Sequence, residues 1–141
     1  MPGAAAQELA HIPAEHLGKT DVVVLRLGIA MSSKNWSQAA ELARHLVTIQ
    51  PEQSGWWINL AYSVRRCESL DGAETILLRA LALHPKEVMI YFNLACYAAV
   101  TGRISEATER LKAAIALDPH AKQMALEDDD LLSMRDVISS L

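Results

Sequence analysis

Three of the five prolines are evenly spaced, and that spacing constrains the fold more than any other feature. Pro51, Pro85 and Pro119 stand 34 residues apart (85 − 51 = 34, 119 − 85 = 34). Each closes a similar run: Leu46-Val47-Thr48-Ile49-Gln50, Ala80-Leu81-Ala82-Leu83-His84 and Ala114-Ile115-Ala116-Leu117-Asp118. A fixed period of this size marks a chain built from stacked copies of one small unit. In this register the blocks are 20–53, 54–87 and 88–121. Asn59-Leu60-Ala61 then matches Asn93-Leu94-Ala95, and Ala73, Leu77 and Ala80 match Ala107, Leu111 and Ala114.

Each block reads as two helices joined by a short turn. Trp57, Leu60, Ala61 and Val64 recur at helical spacing and predict one apolar face; Ala73, Leu77, Ala80 and Leu81 predict a second. The break between them is expected around 68–72. In the third block the first stripe is Tyr91, Leu94, Ala95 and Ala98, and Thr101-Gly102-Arg103 is the turn. Gly102 suits a left-handed C-cap and Ser105 is the expected N-cap of the following helix. Pro85 ends its helix because proline cannot continue it. The composition agrees: 51% of residues are hydrophobic but only 5% aromatic, so the apolar content is Ala and Leu, which favour helices over sheets. The fold class is all-α.

These residues resemble the tetratricopeptide repeat, whose 34-residue pattern places an aromatic, a Leu, small residues and a closing Pro in this order. The second block carries it as Trp57, Leu60, Ala61, Ala73, Leu77, Ala80 and Pro85; the third has Tyr91 for the Trp. The resemblance covers 20–121 and implies a right-handed α-solenoid of helix-turn-helix repeats, an α-α superhelix. In the first block Arg26 takes the place of Leu60 and Val23 that of Trp57. Either that helix keeps the period, or it slips by one so that Leu27-Gly28 falls where Leu60-Ala61 sits. Asn35-Trp36-Ser37-Gln38 reads as a good entry to its second helix. Residues 1–19, with Leu9, Ile12, Pro13 and Leu17, are expected to form an N-terminal extension or cap helix, and 122–141 to form capping helices.

Signals for catalysis are missing. No His-Glu-x-x-His, Gly-x-Ser-x-Gly or phosphate-cradling glycine loop occurs. His11, His16, His45, His84 and His120 are scattered and form no ligand cluster. Cys67 and Cys96 read as inert free thiols. Glu127-Asp128-Asp129-Asp130 reads as a solvated helix N-terminus, where carboxylates complement the dipole. No catalytic residue, metal or cofactor is expected. The net charge of −4 and the absence of a basic stripe argue against nucleic acid. Lacking an apolar stretch near 20 residues and a signal-peptide pattern, the chain is expected to be cytoplasmic with no membrane insertion.

The resemblance therefore implies protein–protein interaction: a scaffold or adaptor holding a partner peptide or helix in a concave groove lined by each repeat's first helix. The matching positions are Val24, Gly28 and Met31, then Ile58, Asn59, Tyr62, Arg65 and Arg66, then Phe92, Asn93, Cys96 and Ala99. Tyr62 and Phe92 are the expected anchors. Asn side chains can both donate to and accept from a partner's main chain. Alternatively, Ile58, Tyr62 and Phe92 cover one another or hold the N-terminal segment. Chaperone-binding members of the family grip a carboxylate with a Lys-Asn-Asn-Lys-Arg clamp. Val24, Gly28, Asn59, Met89 and Asn93 occupy those places here, and only Asn59 agrees. An apolar or amphipathic segment is the expected ligand, with Arg65 and Arg66 able to pair an acidic residue on it. The alternatives are a secretion-type chaperone holding an apolar client segment, and a self-assembling module in which homo-oligomers form through exposed apolar faces or Trp56.

Overall fold

The computed structural model describes residues 19–141. The helices in chain order are α1 (Lys19–Ser32), α2 (Trp36–Ile49), α3 (Ser54–Cys67), α4 (Leu70–Leu83), α5 (Val88–Val100), α6 (Ile104–Leu117) and α7 (Ala121–Glu127). A 3-10 helix (Asp129–Met134) and α8 (Arg135–Ser139) follow. The described residues contain no strand, and the fold is an all-α helical repeat. The expected cap helix over residues 1–19 falls outside the described residues, apart from Lys19, where α1 begins.

The 34-residue period is visible in the backbone. Helices α2, α4 and α6 start 34 residues apart, as do α3 and α5. The turn after each first helix closes with the same hydrogen bond, from Asn35 N to Ala30 O, Ser69 N to Val64 O, and Arg103 N to Ala98 O. The first helix therefore keeps the period and does not slip. Its buried Leu27 and Ala30 stand where Ala61 and Val64 stand in α3, so large and small have exchanged places. A further repeated bond explains the aromatic position. Trp57 Nε1 donates to Pro51 O at 2.9 Å, and Tyr91 Oη donates to Pro85 O at 2.7 Å. Each ring wedges a helix start against the preceding Pro turn, and each has the donor that Phe lacks.

The chain forms two compact units, one running to Ile76 and the other Leu77–Leu141. In the first, α1 packs on α2 and α2 on α3. Its core holds Leu27, Ala39, Ala40, Ala43, Leu46, Trp57, Leu60, Ala61 and Ala73, all buried. Small residues at the crossings let helix axes approach to about 8–10 Å. Gly72 is part of this packing rather than of a loop. The break occupies only 68–69, and α4 already runs through Gly72. A Cβ there would meet Ser69 Oγ at 2.9 Å and Val64 Cγ1 at 3.2 Å, while Ser69 Oγ accepts from Gly72 N. In the second unit α5 packs on α6 around Leu94, Ala95, Ala98, Ala107, Leu111 and Ala114.

The turns differ in quality. Asn35 caps α2, its Oδ1 accepting from Gln38 N at 3.4 Å. Ser105 does not cap α6: the helix starts at Ile104, and Arg103 holds the cap position without a side-chain bond to the helix N–H groups. Arg103 instead donates to Thr101 Oγ1 and pairs with Glu106. Gly102 has φ +79° as its residue type allows, but Lys34, at the equivalent position, is also left-handed at φ +59°. A side chain is disfavoured in that conformation. Lys34→Gly should therefore raise stability by about 0.5–1 kcal/mol, and Gly102→Ala should lower it by about as much. Denaturant midpoints at unchanged m-value check both.

Candidate functional site

In the first unit, the residues with most surface chemistry are Trp36, Tyr62 and Arg66. Trp36 opens α2; Tyr62 and Arg66 are one turn apart on α3. The Trp36 and Tyr62 rings meet edge to face, 5.4 Å between centroids at 65°. The Arg66 guanidinium carbon lies 3.3 Å from the Tyr62 centroid and 5.2 Å from that of Trp36. Arg66 Nη1 also donates to Tyr62 O at 2.8 Å. Four helical residues place Tyr62 and Arg66 on one face, and the packing of α2 on α3 delivers Trp36 to it. Tyr62 is 40% exposed and Trp36 half-buried. The result is a preformed aromatic platform with a fixed positive charge.

The remaining first-unit candidates surround this platform less uniformly. Val24, Met31, Ile58, Asn59 and Arg65 are all half-buried. Buried Ser63 lies 3.4 Å from Met31 Sδ and donates to Asn59 O at 2.9 Å. Met31 thus packs α1 against α3. Gly28 is exposed, with open space where a Cβ would be. Trp56 is half-buried, and its indole N–H donates to Gln50 Oε1.

The second-unit candidates are in a different state. Phe92 is 4% and Cys96 3% exposed, and Asn93 is half-buried. Cys96 stands one period after exposed Tyr62. Its Sγ and the carboxylate oxygens of Asp128 and Asp130 all lie within 4.8 Å of one another, and the 3-10 helix packs on α5. Asp128 Oδ1 caps that helix, accepting from Asp130 N at 2.9 Å; the run from Asp128 thus opens a helix, but Glu127 closes α7, and Asp128 and Asp130 are half-buried rather than solvated. Among the described residues this trio is the group with donors suited to a divalent ion. The meeting of residues 96, 128 and 130 carries no signal in the sequence.

No family model matches the chain, and no curated protein matches it significantly. Solved structures do. The Yersinia enterocolitica type III secretion chaperone SycD, in complex with a peptide of the translocator YopD, is 19% identical with a TM-score of 0.72, covering 89% of this chain and 96% of that one. The first TPR of Spaghetti (RPAP3), bound to the HSP90 peptide SRMEEVD, is 15% identical with a TM-score of 0.68, covering 92% and 95%. The TPR2B domain of yeast Sti1, in its pHsp70 complex, is 18% identical with a TM-score of 0.69, covering 86% and 97%. Together with the repeated turns and Pro-capping aromatics, this likeness shows that the chain has the tetratricopeptide-repeat fold.

Proposed function

We propose that the protein is a non-enzymatic adaptor that binds a peptide or helix of a partner protein, with the Trp36–Tyr62–Arg66 platform as the anchor. The observation that carries this reading is the exposed Tyr62 ring held between an Arg and a Trp. Tyr, Trp and Arg are the side chains most often found at the energetic centre of interfaces. A rigid ring loses little conformational freedom on binding. The ring offers apolar area and Arg66 offers charge, so the fitting segment presents an aliphatic side chain beside a carboxylate. Ile58, Asn59 and Arg65, with Val24 and Met31 from α1, would extend the contact within the first unit. Two of the similar structures hold peptides, which supports the same mode.

We place this activity in the cytosol, on a protein that neither inserts in membranes nor contacts nucleic acid. No helix among the described residues is long and apolar enough to cross a membrane. A second reading is favoured by the likeness to SycD: a chaperone for an apolar client segment, working as a homo-oligomer. Another solved structure of SycD is of an alternative dimer. Exposed Ile49, Leu83 and Leu117 at the ends of α2, α4 and α6 supply apolar surface for self-association.

Wild-type and Tyr62→Ala/Arg66→Ala proteins, used as baits against the same extract, test the adaptor reading. Both should melt cooperatively, the variant being less stable by only about 1 kcal/mol, and the partner captured by the wild type should fall at least about tenfold on the variant, as expected of a hot spot. Equal capture by two folded baits would remove the platform from the interface.

A further inference from the structure

Equivalent positions in successive repeats meet different surroundings, and the difference points to the C-terminal tail. Tyr62 is exposed; Cys96, one period later, is buried beside Asp128 and Asp130. The segment that lies on α5 is the 3-10 helix Asp129–Met134. It is a short amphipathic ligand in its own right. Acidic residues lead it, and fully buried Leu131, Met134 and Ile138 follow at helical spacing. Exposed Leu132, Ser133, Arg135 and Asp136 alternate with them.

Leu131, Met134 and Ile138 are the fully buried side chains of the segment. Two polar ties between its later part and α7 are long and exposed: Arg135 Nη2 to Leu126 O at 3.4 Å and Lys122 Nζ to Ser139 O at 3.3 Å. Its backbone is a 3-10 turn followed by a five-residue helix, forms with poorer hydrogen bonding than a long α-helix. Apolar contacts such as those of Leu131, Met134 and Ile138 are non-directional, so another segment of the same pattern can supply them.

We propose that residues 128–138, seated on α5 through the 3-10 helix and on α7 through α8, are an internal ligand of that surface, displaced by a partner segment that reproduces their pattern: three acidic residues followed by aliphatic side chains at i, i+3 and i+7. This rests on the reading that α5 positions such as Cys96 face a ligand, and it names the chemistry of that ligand. While the tail is in place the face is closed. A partner opens it only by supplying equivalent apolar contacts.

The probe is a fluorescein-labelled peptide with the sequence of residues 126–139, added in trans and read by polarisation. A tethered segment competes at an effective concentration on the order of millimolar, so the native chain should bind the peptide weakly. A Leu131→Ala/Met134→Ala chain should bind it at least about tenfold more tightly. In a Cys67→Ser/Asp130→Cys chain, the new thiol can pair with Cys96 and lock the tail. The oxidised form should not bind, and reduction should restore binding to the native level. Three results would overturn the proposal: loss of cooperative melting in the double-Ala chain, which would make the tail permanent core; no gain in affinity while that chain stays folded; or equal binding by locked and reduced forms. The peptide needs no outside partner. Failure of the platform test with tail exchange intact removes only the adaptor reading, and the reverse removes only this one.

Discussion

Ala107→Asp should abolish cooperative folding at neutral pH. Ala107 has no exposed surface, and neither do Ala95 and Ala98 on the helix it packs with. A carboxylate there is too large for the crossing and is taken out of water. Even an uncharged polar group buried without a partner costs about 1–3 kcal/mol, and a charge far more. Overpacking adds about 1–3 kcal/mol. Against a total stability of roughly 5–15 kcal/mol, this leaves no stable fold. Ala116, exposed on the same helix α6, is the control: Ala116→Asp should change stability by no more than about 0.5 kcal/mol. A circular dichroism melt of the two variants reads the contrast. An Ala107→Asp protein that melts like wild type would refute close packing of α5 on α6.

The second large effect separates two residues that the sequence pairs as anchors. Phe92→Ala should cost about 3–5 kcal/mol, because it empties a site that is 96% closed to solvent. Tyr62→Ala removes an exposed ring and one cation–π contact worth about 0.5–1 kcal/mol at such a site. Stability should therefore fall by several kcal/mol for one and about 1 kcal/mol for the other, with partner binding lost in the mild one. Denaturant titration of both single variants checks this. A double substitution at 62 and 92 would confuse unfolding with loss of binding, so the platform is better probed through Tyr62 and Arg66.

The fold was legible because it is repetitive. Prolines and alanines at a constant period identify equivalent positions, and Ala73, Ala80, Ala107 and Ala114 are buried as the pattern requires. Periodicity does not say what covers each position. Tyr62 and Cys96 are equivalent in sequence but differ in exposure, because Cys96 lies beside the tail, which belongs to no repeat. The Trp36–Tyr62 contact joins residues 26 apart through the packing of α2 on α3. Nothing in either local sequence announces it. Arg66 is placed by a signal that was available, the four-residue step from Tyr62, but its stacking depends on side-chain geometry. Gly72 misled for a physical reason: glycine marks turns, yet here its missing Cβ admits Val64 and Ser69 to the first turn of a helix.

The Trp36–Tyr62–Arg66 face is the proposed seat of the partner segment. The direct measurement places a photo-crosslinking residue at Ile58, one turn before Tyr62 on α3, and separately at exposed Ile49 at the end of α2. Both proteins are irradiated in native extract. Binding at this face predicts a discrete adduct from position 58, weak or none from 49, and loss of the 58 adduct when Tyr62 and Arg66 are also replaced by Ala in a chain that still melts cooperatively. Equal adducts from both positions, or a 58 adduct that survives the two replacements, would contradict it.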